Sequence, residues 1–188
     1  MAMNVIKLDV LLADEGNQKD IASRIQQGAV FVYPTDTIYG VGCDAGNPEA
    51  VQRIRDIKGT DHPFSVIAPS NEWIAKNLVV NHPEYLRKLP GPFTLIFRKK
   101  DPCFLSGASP GDSLGIRIPD HRLTWLFQKT GMPIVTTSMN QSGKPFNINP
   151  DEIMANFDID FIVDAGPLSG TPSSVIDLTG DEPRVLRP

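Results

Sequence analysis

The chain has 188 residues, of which 40% are hydrophobic, and its 18 basic and 22 acidic side chains give a net charge of −4 at pH 7. This length and composition predict one domain, residues 1–188, with a substantial hydrophobic core. The acidic balance argues against a general nucleic-acid coat protein, and two cysteines far apart in sequence argue against a disulfide framework.

Short strands alternate with short amphipathic helices along the chain. In chain order the predicted elements are a strand at 4–10, a helix at 19–28, a strand at 29–33, a helix at 47–59, a strand at 64–68, helices at 70–78 and 82–89, strands at 93–99 and 114–119, a helix at 121–131, a strand at 133–138, a helix at 150–157 and strands at 160–166, 173–179 and 184–188. Several loops are too short for a helical crossover. We therefore predict an α/β fold with a twisted mixed sheet and flanking helices.

The helix at 47–59 has the best-defined boundaries of these elements. Asn47 suits the N-cap, Pro48 suits the first helical position, and Gly59 suits the C-terminal end. No apolar stretch approaches the ~18 residues that a membrane-spanning helix needs, and the N-terminal sequence lacks the pattern of a secretory signal. We expect a cytoplasmic protein without a membrane segment.

A polar segment follows the predicted buried strand at 29–33. Its sequence GVGCDA satisfies the loose dinucleotide fingerprint G-x-G-x-x-A. That fingerprint requires a strand immediately before the glycines and a helix immediately after them, and here the strand ends near Tyr33 and the helix begins at Pro48. Two hypotheses remain open for the segment: a capped turn, or a ligand site beyond the end of the strand.

A second polar segment, TTSMNQSGKP at 136–145, follows the buried strand sequence PIV at 133–135. Small hydroxyl residues with asparagine and glycine allow backbone N–H groups to approach a phosphate or carboxylate. A polar turn is the alternative interpretation. The segment is not a P-loop, because its Gly-Lys pair lacks both the leading glycine and the trailing hydroxyl.

Three cations stand at strand or helix ends: Lys58, Arg117 and Arg187. Arg117 lies in the apolar sequence GIRIP, and an unpaired buried charge costs roughly several kcal/mol, so it must reach solvent, form an ion pair or bind an anion. A surface ion pair is the alternative for each cation. The sequence has no evident nucleophile–base pair and no metal-ligand spacing. An enzyme of this kind would act by positioning and electrostatics, as in nucleotidyl and phosphoryl transfer.

Seven segments in order resemble the YrdC family of threonylcarbamoyl-AMP synthases over about residues 20–188: YPTDTIYGVGCDA, IRDIKG, PGPFTLIF, LGIRIPDH, PIVTTSMNQSGKP, SSVIDL and VLRP. The resemblance implies a large, positively lined cleft. It also implies condensation of L-threonine, bicarbonate and ATP to threonylcarbamoyl-AMP and pyrophosphate, with Mg²⁺ carried by ATP and not by protein ligands. A separate threonylcarbamoyl transferase would use the product on tRNA, and tRNA or double-stranded RNA is a candidate partner.

The resemblance also implies roles for particular residues. Those on the threonine side would be Thr35, Tyr39, Arg117, Thr136 and Ser173, the last also near the adenylate. Those on the nucleotide side would be Lys58, Ser113, Ser138, Asn140 and Arg187. Lys58 and Arg117 would supply electrostatic stabilisation, and no catalytic nucleophile is identified.

The sequence departs from the family pattern at three positions. Thr60 stands where an arginine is expected, Ala68 where a histidine often ends the strand, and Phe146 where a serine is common. A hydroxyl cannot replace a guanidinium on a phosphate, and Arg55 and His62 are the candidates to compensate. The spacing in KGTDHPFSV is closer to the YciO-like branch. The alternatives are therefore a diverged paralogue acting on another carbamate or nucleotide, and an RNA-binding module without synthase activity.

Overall fold

The structure is a computed structural model that describes residues 5–139, 153, 156–168 and 170–188. Its strands form one sheet, in the order β1-β9-β2-β3-β8-β4-β7-β6-β10-β11, with β5 paired to β6 beside this path. The strands are β1 Val5–Lys7, β2 Phe31–Tyr33, β3 Gly40–Gly42, β4 Ser65–Ile67, β5 Leu78–Val79, β6 Phe93–Lys99, β7 Ser113–Arg117, β8 Ile134–Ser138, β9 Phe161–Asp164, β10 Ser174–Asp177 and β11 Arg184–Arg187.

Parallel and antiparallel pairs occur together in this sheet. The pairs β1–β9, β2–β9, β4–β7 and β6–β10 are parallel. The pairs β2–β3, β3–β8, β4–β8, β5–β6, β6–β7 and β10–β11 are antiparallel. The predicted α/β fold with a mixed sheet is confirmed.

The helices flank the sheet. They are α1 Leu8–Ala13, α2 Glu15–Gln26, α3 Pro48–Lys58, α4 Asn71–Asn77 and α5 Arg122–Thr130, with a 3₁₀ helix at Pro83–Lys88. The boundaries predicted for α3 are confirmed: the Asn47 side chain accepts hydrogen bonds from the N–H groups of Glu49 and Ala50, and Gly59 ends the helix at φ 59°. No helix in the described part of the chain is long and apolar enough to cross a bilayer.

Three sequence predictions need correction. Residues 4–10 are not one strand, because β1 ends at Lys7 and α1 begins at once, burying Leu8 and Leu11 one turn apart. Strand β3, whose sequence Gly-Val-Gly has low β-propensity, was missed. The helix predicted at 82–89 is a 3₁₀ helix. The helix predicted at 150–157 falls largely outside the described residues.

The two faces of the sheet are covered differently. On one face, alternate strand residues such as Val66, Leu95, Ile116 and Val135 are fully buried in the larger core, together with Ile54 of α3. On the other face a second core joins α1, α2 and α5 to the β1, β9 and β2 side of the sheet. This second core reaches only as far as β8 and β4. The remaining part of that face, from β8 to β10, borders a cleft.

Candidate functional site

A cleft of about 510 Å³ lies over the part of the sheet that the second core leaves uncovered. Its floor is made of alternate residues on adjacent strands, because side chains two apart on a strand share one face. These residues include Thr136 and Ser138 on β8, Ser65 on β4, Ser113, Gly115 and Arg117 on β7, and Thr94 and Ile96 on β6. The cleft therefore covers the face of the sheet and reaches the carboxyl ends of β7 and β8, whereas the sequence had placed a site only beyond a strand end.

Glycines in and beside this floor allow side chains and main-chain atoms of adjacent strands to approach closely. A Cβ atom on Gly115 would lie 2.5 Å from Ser65 Oγ, and one on Gly40 would lie 3.1 Å from the ring of Tyr33. A Cβ on Gly42 would lie 2.5 Å from the carbonyl oxygen of Val135. Gly40 and Gly42 thus serve close packing of β3 against its neighbours, in agreement with excluding the dinucleotide fingerprint.

Arg117, the last residue of β7, is the most constrained cation of the cleft. It is 8% exposed, and its Nη2 donates to Asp36 Oδ1 at 2.7 Å, Thr37 Oγ1 at 2.6 Å and Thr35 Oγ1 at 3.3 Å. Its Nε is the buried side-chain polar atom that has no hydrogen-bond partner among the described residues. Because a buried guanidinium N–H without a partner is costly, this N–H is expected to have an acceptor, which a ligand or a water molecule in the cleft would supply.

Thr35 lies behind the cleft and does not line it. Its Oγ1 donates to the Ile38 carbonyl oxygen at 2.6 Å and accepts from the N–H groups of Thr37 at 3.1 Å and Ile38 at 3.2 Å. The capped-turn hypothesis is therefore confirmed, and the ligand-site hypothesis for this segment stays a prediction. Thr35 closes a capped turn, and that turn presents Asp36 and Thr37 to Arg117.

Tyr39, which lines the cleft, has its phenol oxygen engaged with the chain after β9. The hydroxyl donates to the Gly166 carbonyl oxygen at 2.8 Å and accepts from the Ala165 N–H at 2.9 Å. Burial raises the pKa of this phenol above its ordinary value. The hydroxyl therefore joins the turn to the segment that follows β9, and the residue also lines the cleft.

Lys58, at the C-terminal end of α3, lies behind the cleft and contacts the lining residue Ser138. Its Nζ donates to the main-chain carbonyl of Ser138 at 2.8 Å, and the residue is only 6% exposed. Burial lowers the pKa of Lys58 to about 8. An anionic ligand near this partly desolvated ammonium would favour its charged form and offset the cost of its burial.

Arg187 closes the opposite side of the cleft. Its Nε and Nη2 donate to the Ser173 carbonyl oxygen at 2.8 and 2.6 Å, and Ser173 Oγ lies 2.9 Å from Thr94 Oγ1. Burial lowers the pKa of Arg187, and the nearby charge of Arg117 lowers it further. Two guanidinium groups at one cleft raise its positive potential, which favours an anionic ligand.

A family model for Sua5/YciO/YrdC proteins, described as "Telomere recombination", matches residues 23–188. The chain belongs to this family. The threonylcarbamoyl-AMP synthase of Bacillus subtilis is 33% identical over 96% of this chain and 55% of the relative. The synthase of Escherichia coli K12 is 34% identical over 84% of this chain and 89% of the relative. The chain spans about half the length of the B. subtilis and Pyrococcus abyssi relatives.

Two solved structures of the Sua5/YciO/YrdC family give the same fold. P. abyssi Sua5 complexed with L-threonine has a TM-score of 0.82 and 30% identity, covering 100% of this chain and 57% of that one. E. coli YciO has a TM-score of 0.80 and 26% identity, covering 93% of this chain and 89% of that one. Because the two TM-scores are nearly equal, fold similarity does not separate the synthase branch from the YciO branch.

Most of the residues predicted from the family resemblance meet at one cleft. Those that line it are Tyr39, Ser113, Arg117, Thr136, Ser138, Ser173 and Arg187. Thr35 and Lys58 stand behind it and contact Arg117 and Ser138. Asn140 lies outside the described residues. The structure thus brings these positions together, and their individual roles stay predictions.

The residues that depart from the family pattern, and the two that could compensate, occupy different places in the structure. Arg55 does not reach the cleft, because its guanidinium donates to main-chain carbonyls, including those of Thr60 and His62. His62 lines a separate surface depression together with Thr60. Ala68 is fully buried in the larger core. Phe146 lies outside the described residues. The cation missing at position 60 is therefore not replaced by Arg55 or His62.

Sequence reasoning missed several residues of the site. Asp36 was not paired with Arg117, although an arginine in an apolar strand needs a partner. Ser65 and Thr94 were hidden within predicted strands, and their signal was the period-2 alternation of polar and apolar residues. Tyr33 donates to Thr136 Oγ1 at 2.7 Å and separates the second core from the cleft.

Proposed function

We propose that the chain condenses L-threonine, bicarbonate and ATP to threonylcarbamoyl-AMP and pyrophosphate. The observation that carries this proposal is Arg117: a buried, partly unsatisfied guanidinium at one end of a hydroxyl-lined cleft that has further cations at its other sides. Curated relatives of matching length are named threonylcarbamoyl-AMP synthase, and a solved relative is described as a complex with L-threonine.

In this proposal Arg117 binds the carboxylate of threonine. A guanidinium suits a carboxylate because its N–H groups match the two oxygens in a planar arrangement. The hydroxyl of Thr136 lines the same cleft and accepts a hydrogen bond from Tyr33, so its own proton is available to a ligand. Ser173, which directly precedes β10, also lines the cleft and completes a polar enclosure suited to a small polar amino acid.

The nucleotide occupies the remaining part of the cleft. Phe64, Ile96 and Val175 line it with apolar surface suited to a flat base, as is usual for ligand sites that combine apolar walls with a few polar groups. Lys58 and Arg187 would offset the charge of the phosphates, and hydroxyls such as Ser138 would orient their oxygens.

The proposed chemistry requires two bond-forming steps. The unprotonated threonine amine attacks the carbon of bicarbonate, and loss of water gives the carbamate. A carbamate oxygen then attacks the α-phosphorus of ATP, the bond from that phosphorus to the bridging oxygen breaks, and pyrophosphate leaves with its electron pair. The residues of the cleft supply positioning and charge compensation, and none acts as a covalent nucleophile.

Magnesium fits this cleft as a companion of ATP. The lining residues include hydroxyls but no carboxylate, and no cluster of three metal-ligating side chains occurs in the described ranges. Magnesium is usually bound through substrate phosphates with one or two protein oxygens, so hydroxyls such as Ser138 are the donors available here. When bound, it would offset phosphate charge, alongside Lys58 and Arg187.

The absent cation at position 60 favours a second candidate, a diverged enzyme that adenylates a different carbamate. Neither Arg55 nor His62 reaches the cleft to supply that charge. The two candidates share the cleft and the need for Arg117 to bind an anion. They differ in the amine-bearing substrate or in the nucleotide.

Pyrophosphate release separates these candidates. The protein is incubated with ATP, Mg²⁺ and bicarbonate, with L-threonine, L-serine, L-allo-threonine or no amino acid. Release that requires L-threonine and bicarbonate, and that yields labelled threonylcarbamoyl-AMP, supports the synthase. Release with another amine supports the diverged enzyme. Absence of any amine-dependent turnover, together with salt-sensitive binding of tRNA or double-stranded RNA, would support the RNA-binding alternative.

A further inference from the structure

A buried lysine on the face of the sheet opposite the cleft carries no role in the proposed chemistry. Lys99 is the last residue of β6 and is 3% exposed. Its Nζ donates to the main-chain carbonyls of Pro102 at 2.9 Å, Phe104 at 3.0 Å and Ser109 at 2.8 Å. The three protons of the ammonium thus meet three carbonyl oxygens of one loop.

That loop, residues 100–112, joins β6 to β7 and is called the hairpin loop below. It has no regular strand or helix, and Leu105 within it lies in the left-handed region at φ 48°. A leucine in this region costs about 1 kcal/mol or more, so the surrounding contacts must hold it there. The carbonyl of the preceding residue, Phe104, is one of the three that Lys99 binds.

The hairpin loop in turn forms part of the cleft. Ser109 lines the cleft, and its hydroxyl donates to the carbonyl of Ser113, another lining residue. The loop carbonyl of Ala108 accepts from the N–H of Phe64 at 2.9 Å, which fixes the apolar side of the cleft. Phe64, Ser109 and Ser113 are called the cleft wall below.

We propose that Lys99 is a positioning residue, whose ammonium, bound by the three carbonyls, holds the hairpin loop in the conformation that builds the cleft wall. Charge is central to this role. Three carbonyl dipoles that converge on one point repel one another unless a cation lies between them, much as carbonyl oxygens surround an ion in a selectivity filter. A neutral side chain of the same length would leave carbonyls unsatisfied and release the loop.

The consequence for ligand binding rests on the proposed function, in which the cleft wall contacts the nucleotide. Loss of the Lys99 ammonium is then expected to weaken ATP binding at least tenfold. Threonine binding at Arg117 depends on the Asp36 turn, so it is expected to change less than twofold.

Chemical rescue tests the proposal. Lys99→Ala deletes three carbons and the nitrogen, and n-propylammonium matches these atoms, whereas 1-propanol has the same chain without the charge. We expect Lys99→Ala to raise the calorimetric Kd for ATP and to speed hydrogen exchange at residues 101–112. The ammonium should reverse both effects and the alcohol neither. The exposed lysine of α4 gives the control Lys76→Ala, which lies outside the hairpin loop and should change neither quantity.

Equal rescue by alcohol and ammonium would overturn the proposal, because packing alone would then explain the role. Unchanged exchange and unchanged ATP affinity in Lys99→Ala would overturn it as well. If that variant does not fold, Lys99→Gln is measured in its place, since it keeps two N–H donors without the charge, and unaltered exchange there counts against the proposal. If the wild-type protein does not bind ATP, the proposed function fails, and the exchange experiment still decides the role of Lys99.

Discussion

Replacing Arg117 by methionine tests whether this guanidinium binds the substrate carboxylate or only stabilises the fold. The side chains of Arg117 and Asp36 are 10% and 11% exposed, and they are joined at 2.7 Å. Removing one partner of a buried ion pair leaves an uncompensated charge and costs about 3–5 kcal/mol. For a chain of this size each kcal/mol lowers Tm by about 2–4 °C, so the single variant should melt about 6–20 °C lower.

The paired variant Arg117→Met/Asp36→Asn separates the two roles. It removes both charges together, and the amide oxygen of the introduced asparagine can still accept the hydrogen bond that Asp36 receives from the Asp120 N–H. Replacing a buried pair as a whole is far less costly than breaking it, so most of the lost stability should return. Binding of L-threonine should not return, because the guanidinium is absent from both variants.

The expected loss of binding follows from the hydrogen bonds that the carboxylate would make. A hydrogen bond to a charged group contributes about 1.5–3 kcal/mol, which corresponds to a Kd for L-threonine about 10- to 150-fold higher. Calorimetric titration of L-threonine and thermal melting of the same samples measure both quantities. Recovery of threonine affinity in the paired variant, or wild-type affinity in the single variant, would refute the assignment of Arg117 to the carboxylate.

Two further predictions concern groups whose roles the geometry restricts. Because the pKa of Lys58 is lowered to about 8, kcat/KM for ATP should fall as pH rises through 8, where the ammonium loses its proton. The variant Lys58→Arg should remove this fall, because a guanidinium stays protonated over this pH range. A fall that persists in the variant would exclude Lys58 as its source. Tyr39→Phe should lower Tm by about 2–6 °C, because the Ala165 N–H and the Gly166 carbonyl lose their partner. The same variant should leave the Kd for L-threonine nearly unchanged, and a tenfold rise would show that the hydroxyl itself contacts the ligand.

The sequence predicted elements whose signals are local. Helix α3 has a capping asparagine, a proline at its first position and a terminal glycine, and each signal acts within a few residues. The prediction that Arg117, Ser138 and Arg187 meet at one cleft came from the family resemblance. It could not be derived from local pattern, because those residues are brought together by the pairing of distant strands.

The errors have a common physical cause. Strand β3 is held by hydrogen bonds to β2 and β8, although its own sequence has little tendency to be extended. Asp36 has a local signal typical of a turn, and only the strand order brings it to Arg117. The hairpin loop shows the same dependence, since a sequence rich in proline, glycine and serine gives no indication that a buried lysine orders it.

The cations in and beside the cleft are arranged so that an anionic ligand would complete their hydrogen bonds and offset their charge. Asp36 neutralises one side of Arg117 and leaves Nε without a partner, and the charge of Arg117 is close enough to Arg187 to lower the pKa of Arg187. Lys58 is buried beside Ser138, and its pKa is lowered by the same lack of solvent. An anion between Arg117 and Arg187 would accept from the Arg117 Nε and would offset the repulsion between the two guanidinium groups. In the proposed function Arg117, Lys58 and Arg187 offset the charge of the substrates in the described part of the cleft, where Thr60 supplies no cation.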